Sequence, residues 1–333
     1  MWRTIVGVVL IAGSLLGISA CSGSAAGSAG AKVTLVLNWR PEPEFGGFYA
    51  AQNEGTFKAH RLTVDIVPGG AGAPAIDLVA SGKAEFGIAS ADEVVIGQDR
   101  GKDVVALFAV YQTCPQGIMV HADSGLTSIG EVLHAVQAGK LTLAMEKGLP
   151  YARFLAHKYK LNLDQLPGVV GYDGSTAVYL SKRDYAQQCF ITSEPLAVKE
   201  KGQPARVFLI SEEGYNPYTA VVIARRGYVD ENPGIVRAFV ESIRQGWQSY
   251  LKDPHPTDVV MAKLNPLMNL ATFDAVAAVQ KPLIEDTFTA EHGLGAMSDE
   301  RWLDLVRQLK TLGLINRAPT PHECYVDAEN PWK

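Results

Sequence analysis

The run Asn38-Trp39-Arg40-Pro41-Glu42-Pro43-Glu44-Phe45-Gly46-Gly47-Phe48-Tyr49 gathers rings, carboxylates and an amide beside two adjacent glycines. Aromatic rings offer a large flat contact to a planar molecule, so Trp39 and Phe45 are candidates for stacking and Asn38 and Glu42 for hydrogen bonding. Glycines at the start of a helix cost stability unless close backbone approach is useful, which makes Gly46 a candidate for lying against a ligand. Ser90-Ala91-Asp92-Glu93 has two readings. A serine at a helix start caps it and acidic residues in the first turn favour the dipole, yet Ser90, Asp92 and Glu93 are also candidate ligand contacts. Glu146-Lys147-Gly148-Leu149-Pro150-Tyr151 opens a further helix, whose free amides suit a polar or anionic group, so Glu146 and Tyr151 join the candidates. Tyr172 and Asp173 follow another short extended segment, and Gln112 another. Glu194, before Pro195, is placed to accept two N–H bonds from an amino-heterocycle or is a solvated loop carboxylate. Tyr218, in Tyr215-Asn216-Pro217-Tyr218, either lines a cleft or packs a hinge.

The spacings of the common catalytic motifs do not occur. There is no Gly-x-Ser-x-Gly, no Gly-rich loop ending Gly-Lys-Ser/Thr, no His-Glu-x-x-His and no Cys-x-x-Cys. Pro68-Gly69-Gly70-Ala71-Gly72-Ala73-Pro74 lacks dinucleotide-fingerprint spacing and reads as a turn into a helix. The seven histidines are scattered singly, and Cys114, Cys189 and Cys324 have no metal-ligand spacing. The expectation is a chain without catalytic residues, metal or cofactor, whose three thiols are small buried hydrophobes; a Cys114–Cys324 bridge is the less favoured alternative.

Strands and helices alternate to carry these residues. Val33–Leu37, Val64–Val67, Phe86–Ile88 and Val104–Val110 read as strands, with helices over 45–55, 74–81 and 92–100 between them. A second set has strands at Leu141–Ala144, Val169–Val170, Gln188–Thr192 and Val207–Ile210, with helices over 150–159 and 175–180. Ala220–Ala224 reads as a strand returning to the first set. Val236, Phe239, Val240, Ile243, Trp247, Tyr250 and Leu251 recur at helical spacing, as do Trp302, Val306, Leu309 and Leu312 before Gly313. Alternation of this kind predicts an α/β protein of two lobes, each a mainly parallel sheet flanked by helices, with a hinged cleft between them. Lobe 1 is expected to take residues 32–116 and 219–333 and lobe 2 residues 117–218, with crossings near 113–121 and 213–219. Ligands of open α/β sheets bind beyond the carboxyl ends of strands, where the candidates above fall.

Arg3, the apolar run Ile5–Leu16 and Ile18-Ser19-Ala20-Cys21 have the order of an export signal over residues 1–20. The last four residues resemble the lipobox of bacterial lipoproteins, which makes Cys21 the expected lipidation site and the membrane a partner through that anchor. Residues 21–31 are small and low in complexity, as suits a flexible tether to a membrane facing the periplasm or cell exterior. The 333 residues are 47% hydrophobic with a net charge of −5, one unit more acidic without Arg3, so no basic stripe invites nucleic acid.

Leu37-Asn38-Trp39, Gly47-Phe48-Tyr49-Ala50-Ala51, Glu54-Gly55-x-Phe57, Leu78-Val79-Ala80-Ser81-Gly82-Lys83-Ala84-Glu85-Phe86-Gly87-Ile88 and Asn232-Pro233 carry a resemblance. From about Val33 to beyond Tyr250 the chain resembles the solute-binding family that groups nitrate, sulfonate and thiamine-pyrimidine binders with the thiamine pyrimidine synthase. The resemblance implies a type II periplasmic-binding fold, domain closure on a small molecule, and delivery by a monomer to an ABC permease and ATPase. The Asn38-Trp39 pair looks most like the thiamine-pyrimidine branch, in which Trp39 would stack on an aminopyrimidine and Glu194 would bond to it. Nitrate or sulfonate binding is the alternative within the family. The synthase is the alternative from another class, an enzyme that consumes its own histidine and bound pyridoxal phosphate with iron. Phe45 stands where that histidine would be, and the Cys-Cys-Cys-Phe-Cys signature is absent, Cys189-Phe190 being isolated.

Overall fold

A computed structural model describes residues 1–2, 30–70 and 72–327; Cys21, and most of the signal and tether assigned to residues 1–31, lie outside them. The strands are β1 (Ala31–Val36), β2 (Leu62–Val67), β3 (Phe86–Ala89), β4 (Val105–Tyr111), β5 (Gln116–His121), β6 (Thr142–Ala144), β7 (Val169–Val170), β8 (Tyr185–Phe190), β9 (Ala205–Leu209) and β10 (Thr219–Ala224). They form two sheets with orders β2-β1-β3-β10-β4 and β7-β6-β8-β5-β9. β10 runs antiparallel to both its neighbours while β1 pairs in parallel with β2 and β3. β5 is likewise reversed between β8 and β9, and β6 pairs in parallel with β7 and β8. One strand in each sheet therefore opposes the rest, and in each case it is the strand that follows a crossing from the other sheet. The two sheets repeat one topology without a repeat in sequence.

Burial explains the strand compositions. Val-Ala-Leu-Phe-Ala-Val-Tyr of β4 is buried throughout because both its faces are covered, whereas β2 alternates Leu62 and Val64 inward with Thr63 and Asp65 outward. Helix Pro233–Lys252 buries the predicted stripe, including Phe239, Ile243, Trp247 and Tyr250, against helix Gly46–Asn53. A Cβ on Gly46 would come within 2.2 Å of the Tyr250 ring, one on Gly47 within 2.2 Å of Trp247, and one on Gly246 within 2.2 Å of the Gly47 carbonyl oxygen. These glycines let two helices touch backbone to ring, and at Gly46 the close approach is made by Tyr250. A second apolar core is continuous across both sheets, with Val79, Val94 and Val221 on one side, Val132, Leu143 and Leu155 on the other, and Tyr215, Tyr218 and Trp302 joining them.

Some elements differ from expectation. Residues 116–121, read as part of a crossing, are strand β5 in the interior of the second sheet, a position their polar ends Gln116 and His121 disguise. Helices at Ile129–Gln137, His255–Leu264, Leu270–Ile284 and Thr287–His292 were not signalled. Cys114, Cys189 and Cys324 are buried free thiols, so the Cys114–Cys324 bridge does not form. Among the described residues no helix is long and apolar enough to cross a membrane.

Candidate functional site

The carboxyl ends of β1 and β8 bring three carboxylates into electrostatic reach of each other across the two sheets. Beyond β1 the chain turns through Pro41 and Pro43, which leaves Glu42 and Glu44 on a rigid arm ahead of helix Gly46–Asn53. Trp39 lies half-buried on that arm and donates its indole N–H to Glu42 Oε1 at 3.1 Å, and the Arg40 guanidinium sits 5.6 Å from its ring centroid. Beyond β8, Glu194 accepts the Tyr172 hydroxyl at 2.5 Å and the Phe190 N–H at 2.9 Å.

Their protonation follows from this packing. Burial pushes the Glu42 carboxyl up to about 7, with the Trp39 N–H opposing the rise and the Glu194 charge adding to it. Burial pushes Glu44 up to about 8, and the charges of Glu42 and Glu194 act in the same direction. Glu194 is also raised by burial, against the stabilising bonds from Tyr172 and backbone N–H groups. Three carboxylates so placed cannot all ionise cheaply near neutrality, so the site favours protons, N–H donors or positive charge. Tyr111, at the end of β4, is tied to the arm through Gln280. Its hydroxyl donates to Gln280 Oε1 at 2.7 Å, while Gln280 Nε2 donates to the Pro43 carbonyl at 2.9 Å.

The other candidates fall into separate places. Tyr151 is buried and donates to Gln188 Oε1 at 2.6 Å; the same oxygen accepts the Glu146 N–H at 2.7 Å, and Gln188 Nε2 donates to Glu146 Oε2 at 2.9 Å. Asp173 is exposed and accepts the Ser175 N–H at 2.9 Å, a local turn bond. Ser90 and Glu93 form a capping box, with the Ser90 N–H donating to Glu93 Oε2 at 2.8 Å. Glu93 remains open to solvent while crowding by the surrounding protein, then the Asp92 charge, raises its carboxyl. Asp92 is buried and accepts the Tyr215 hydroxyl at 2.7 Å. Phe45 is fully buried, tilted against Phe48, with no face free for stacking. Gln112 and Tyr218 lie at the crossings. Arg301 donates to Gln112 Oε1 at 3.2 Å and to the Asn216 carbonyl at 2.9 Å, and its guanidinium covers the Tyr218 ring at 3.8 Å. Asn38 belongs to the β1 arm, where its buried Oδ1 has no hydrogen-bond partner among the described residues.

The structure thus brings Trp39, Glu42, Tyr172 and Glu194 to one place and adds Glu44, Tyr111 and Gln280, which sequence reasoning had not singled out. Glu44 was within the quoted motif, and its spacing of two from Glu42 across Pro43 was the available signal. Among the described residues no group of three or more His, Cys, Asp or Glu is arranged to hold a metal ion.

Two α/β halves of matching topology, with strand ends meeting between them, define a periplasmic-binding-protein fold. The sulfonate-binding protein SsuA of Escherichia coli superposes with a TM-score of 0.67 at 12% identity, covering 88% of this chain and 91% of its own. A Candida albicans protein described as having the generic periplasmic binding protein fold gives 0.53 at 13% identity, over 87% of this chain and 92% of its own. The chain belongs to the NMT1/THI5-like family, whose pattern matches residues 42–257. It is similar to the riboflavin-binding protein RibY of Chloroflexus aurantiacus, 21% identical over 86% of this chain and 82% of that one. The formylaminopyrimidine-binding protein of Halalkalibacterium halodurans is 20% identical over 83% of this chain and 84% of its own. The 4-amino-5-hydroxymethyl-2-methylpyrimidine phosphate synthase of Uromyces fabae is 20% identical over 72% of each.

Proposed function

We propose that the chain is the exported, lipid-anchored solute-binding component of an ABC importer, and that it closes over a small planar nitrogen-containing molecule between its two halves. The observation that carries this reading is the approach of Glu42 and Glu44, from one half, to Glu194, from the other, beside the half-buried indole of Trp39. Carboxylates on both sides accept N–H bonds that neither side alone would complete, so bound ligand favours the closed form. Trp39 supplies the ring face, and Tyr172 holds Glu194 in position. The relatives named for riboflavin and formylaminopyrimidine binding support a nitrogen heterocycle; the sulfonate binder shares only the fold. Cys21 is the proposed anchor, and the permease and ATPase are the proposed partners of a monomer.

Calorimetry with formylaminopyrimidine, a free aminopyrimidine, riboflavin, taurine and nitrate tests the ligand class. Heterocycle binding is expected, and preference for the anions overturns it. The synthase relatives favour a second reading, as an enzyme. Mass analysis of protein and ligand after incubation separates the two: both unchanged supports transport, and altered mass of either supports chemistry.

A further inference from the structure

The two halves meet at a second place, far from the crossings. Helix Glu194–Glu200 belongs to the second half and begins with the site carboxylate Glu194. Its last residue, Glu200, faces the start of helix Leu270–Ile284 in the first half. There the Thr272 hydroxyl donates to Glu200 Oε1 at 2.5 Å, and Asn269 Nδ2 lies 3.5 Å from Glu200 Oε2. Both partners are already oriented, because Asn269 is the N-cap of that helix and its Oδ1 accepts the Thr272 N–H at 2.9 Å. A carboxylate at a helix N-terminus also meets the positive end of the dipole.

The opposite end of the same helix touches the first crossing. The Leu283 carbonyl accepts the N–H groups of Gln112 and Thr113 at 2.8 and 3.0 Å. With about 1.5 Å of rise per residue, the helix spans roughly 20 Å between those contacts. Three residues before Leu283, Gln280 holds the arm that carries Glu42 and Glu44. The two junctions differ in kind. At the crossings the halves share a continuous apolar core, which resists opening; at Glu200 the contact is polar and Glu200 is exposed, which permits it to break and re-form.

We propose that Glu200 and the Asn269–Thr272 turn form a catch that holds the two halves shut already in the unliganded chain, with Glu194 and Glu200 tying ligand contact and catch to one short helix. The proposal rests on the hinged reading given above, and not on the identity of the ligand.

Solution scattering of the full chain tests it, with Glu200→Ala, Glu200→Gln and Thr272→Val measured beside the parent protein. A double variant, Glu200→Cys with Thr272→Cys, provides a fixed closed reference once oxidised. The closed population is expected to fall about fivefold in each single substitution, as for one exposed charge-assisted hydrogen bond, and to fall no further when Glu200→Ala and Thr272→Val are combined. The radius of gyration should rise accordingly while the melting temperature holds. Glu200→Gln keeps the shape of the side chain, so it carries the test if the alanine variant is poorly folded. A parent protein already as expanded as the variants, while the oxidised pair is compact, overturns the catch and leaves the hinge standing. Equal radii for every form, oxidised pair included, overturn both.

Discussion

Glu44 is held where its charge is costly. A carboxylate whose folded-state value lies near 8, against 4.5 when unfolded, binds its proton more tightly in the native state, so the native state carries the greater number of protons between those values. Stability therefore falls as pH rises through that window, and is unaffected by this group below it. Glu44→Gln removes the penalty: it is expected to stabilise the protein on the order of 2 kcal/mol at pH 8.5 and to change little at pH 4, read from urea denaturation at each. The full shift would predict more, but the side chain is only partly buried and water screens it. Trp39→Ala should weaken a stacked heterocycle by roughly 1–3 kcal/mol in calorimetry, with unchanged affinity excluding the indole from the site. The site was half legible in the sequence. Trp39, Glu42, Tyr172 and Glu194 stood out as rings and carboxylates at strand ends, whereas Tyr111 and Gln280 did not, because each acts through a partner 169 or more residues away that spacing cannot reveal.

Between elements, helices Gly46–Asn53 and Pro233–Lys252 cross in close contact. Gly47 and Gly246 meet with no room for a methyl group, a Cβ on Gly246 falling 2.2 Å from the Gly47 carbonyl oxygen. Overpacking against backbone forces helices apart rather than side chains to rotate, so Gly246→Ala is expected to cost about 3 kcal/mol in urea denaturation. A change below about 0.5 kcal/mol would mean that the crossing is looser than described. The sequence showed that these glycines need close approach, but not what approaches, since the aromatic stripe supplying Trp247 and Tyr250 lies two hundred residues on. Helix existence followed periodicity. Pro233–Lys252 and Asp299–Thr311 were legible from their stripes, while Leu270–Ile284, with Pro282 inside it and apolar residues on several faces, gave no single period to read. Strand β5 was hidden for a related reason. A strand buried on both faces need not alternate, and Gln116 and His121 are buried through hydrogen bonds rather than through apolar character.

At the scale of the whole molecule, one guanidinium fastens both crossings. Arg301, from helix Asp299–Thr311, bonds Gln112 at the first crossing and the Asn216 carbonyl at the second, and lies over the Tyr218 ring. Asn216 returns the connection, its Oδ1 accepting the Cys114 N–H at 2.8 Å and its Nδ2 donating to the Gln112 carbonyl at 3.4 Å. Burial lowers the Arg301 pKa, so part of the energy of these contacts offsets desolvation of the cation. Replacing it with methionine relieves that cost but leaves Gln112 Oε1 and the Asn216 carbonyl short of donors, for an expected net loss of about 2 kcal/mol in urea denaturation. Arg301→Lys should fare little better. A single ammonium cannot reach two acceptors in the plane of the fork while covering an aromatic face. Full stability in the lysine variant would show that charge alone suffices at the crossings. The two halves would then depend on their shared apolar core, around Tyr215 and Trp302, to keep the strand ends of β1 and β8 facing each other.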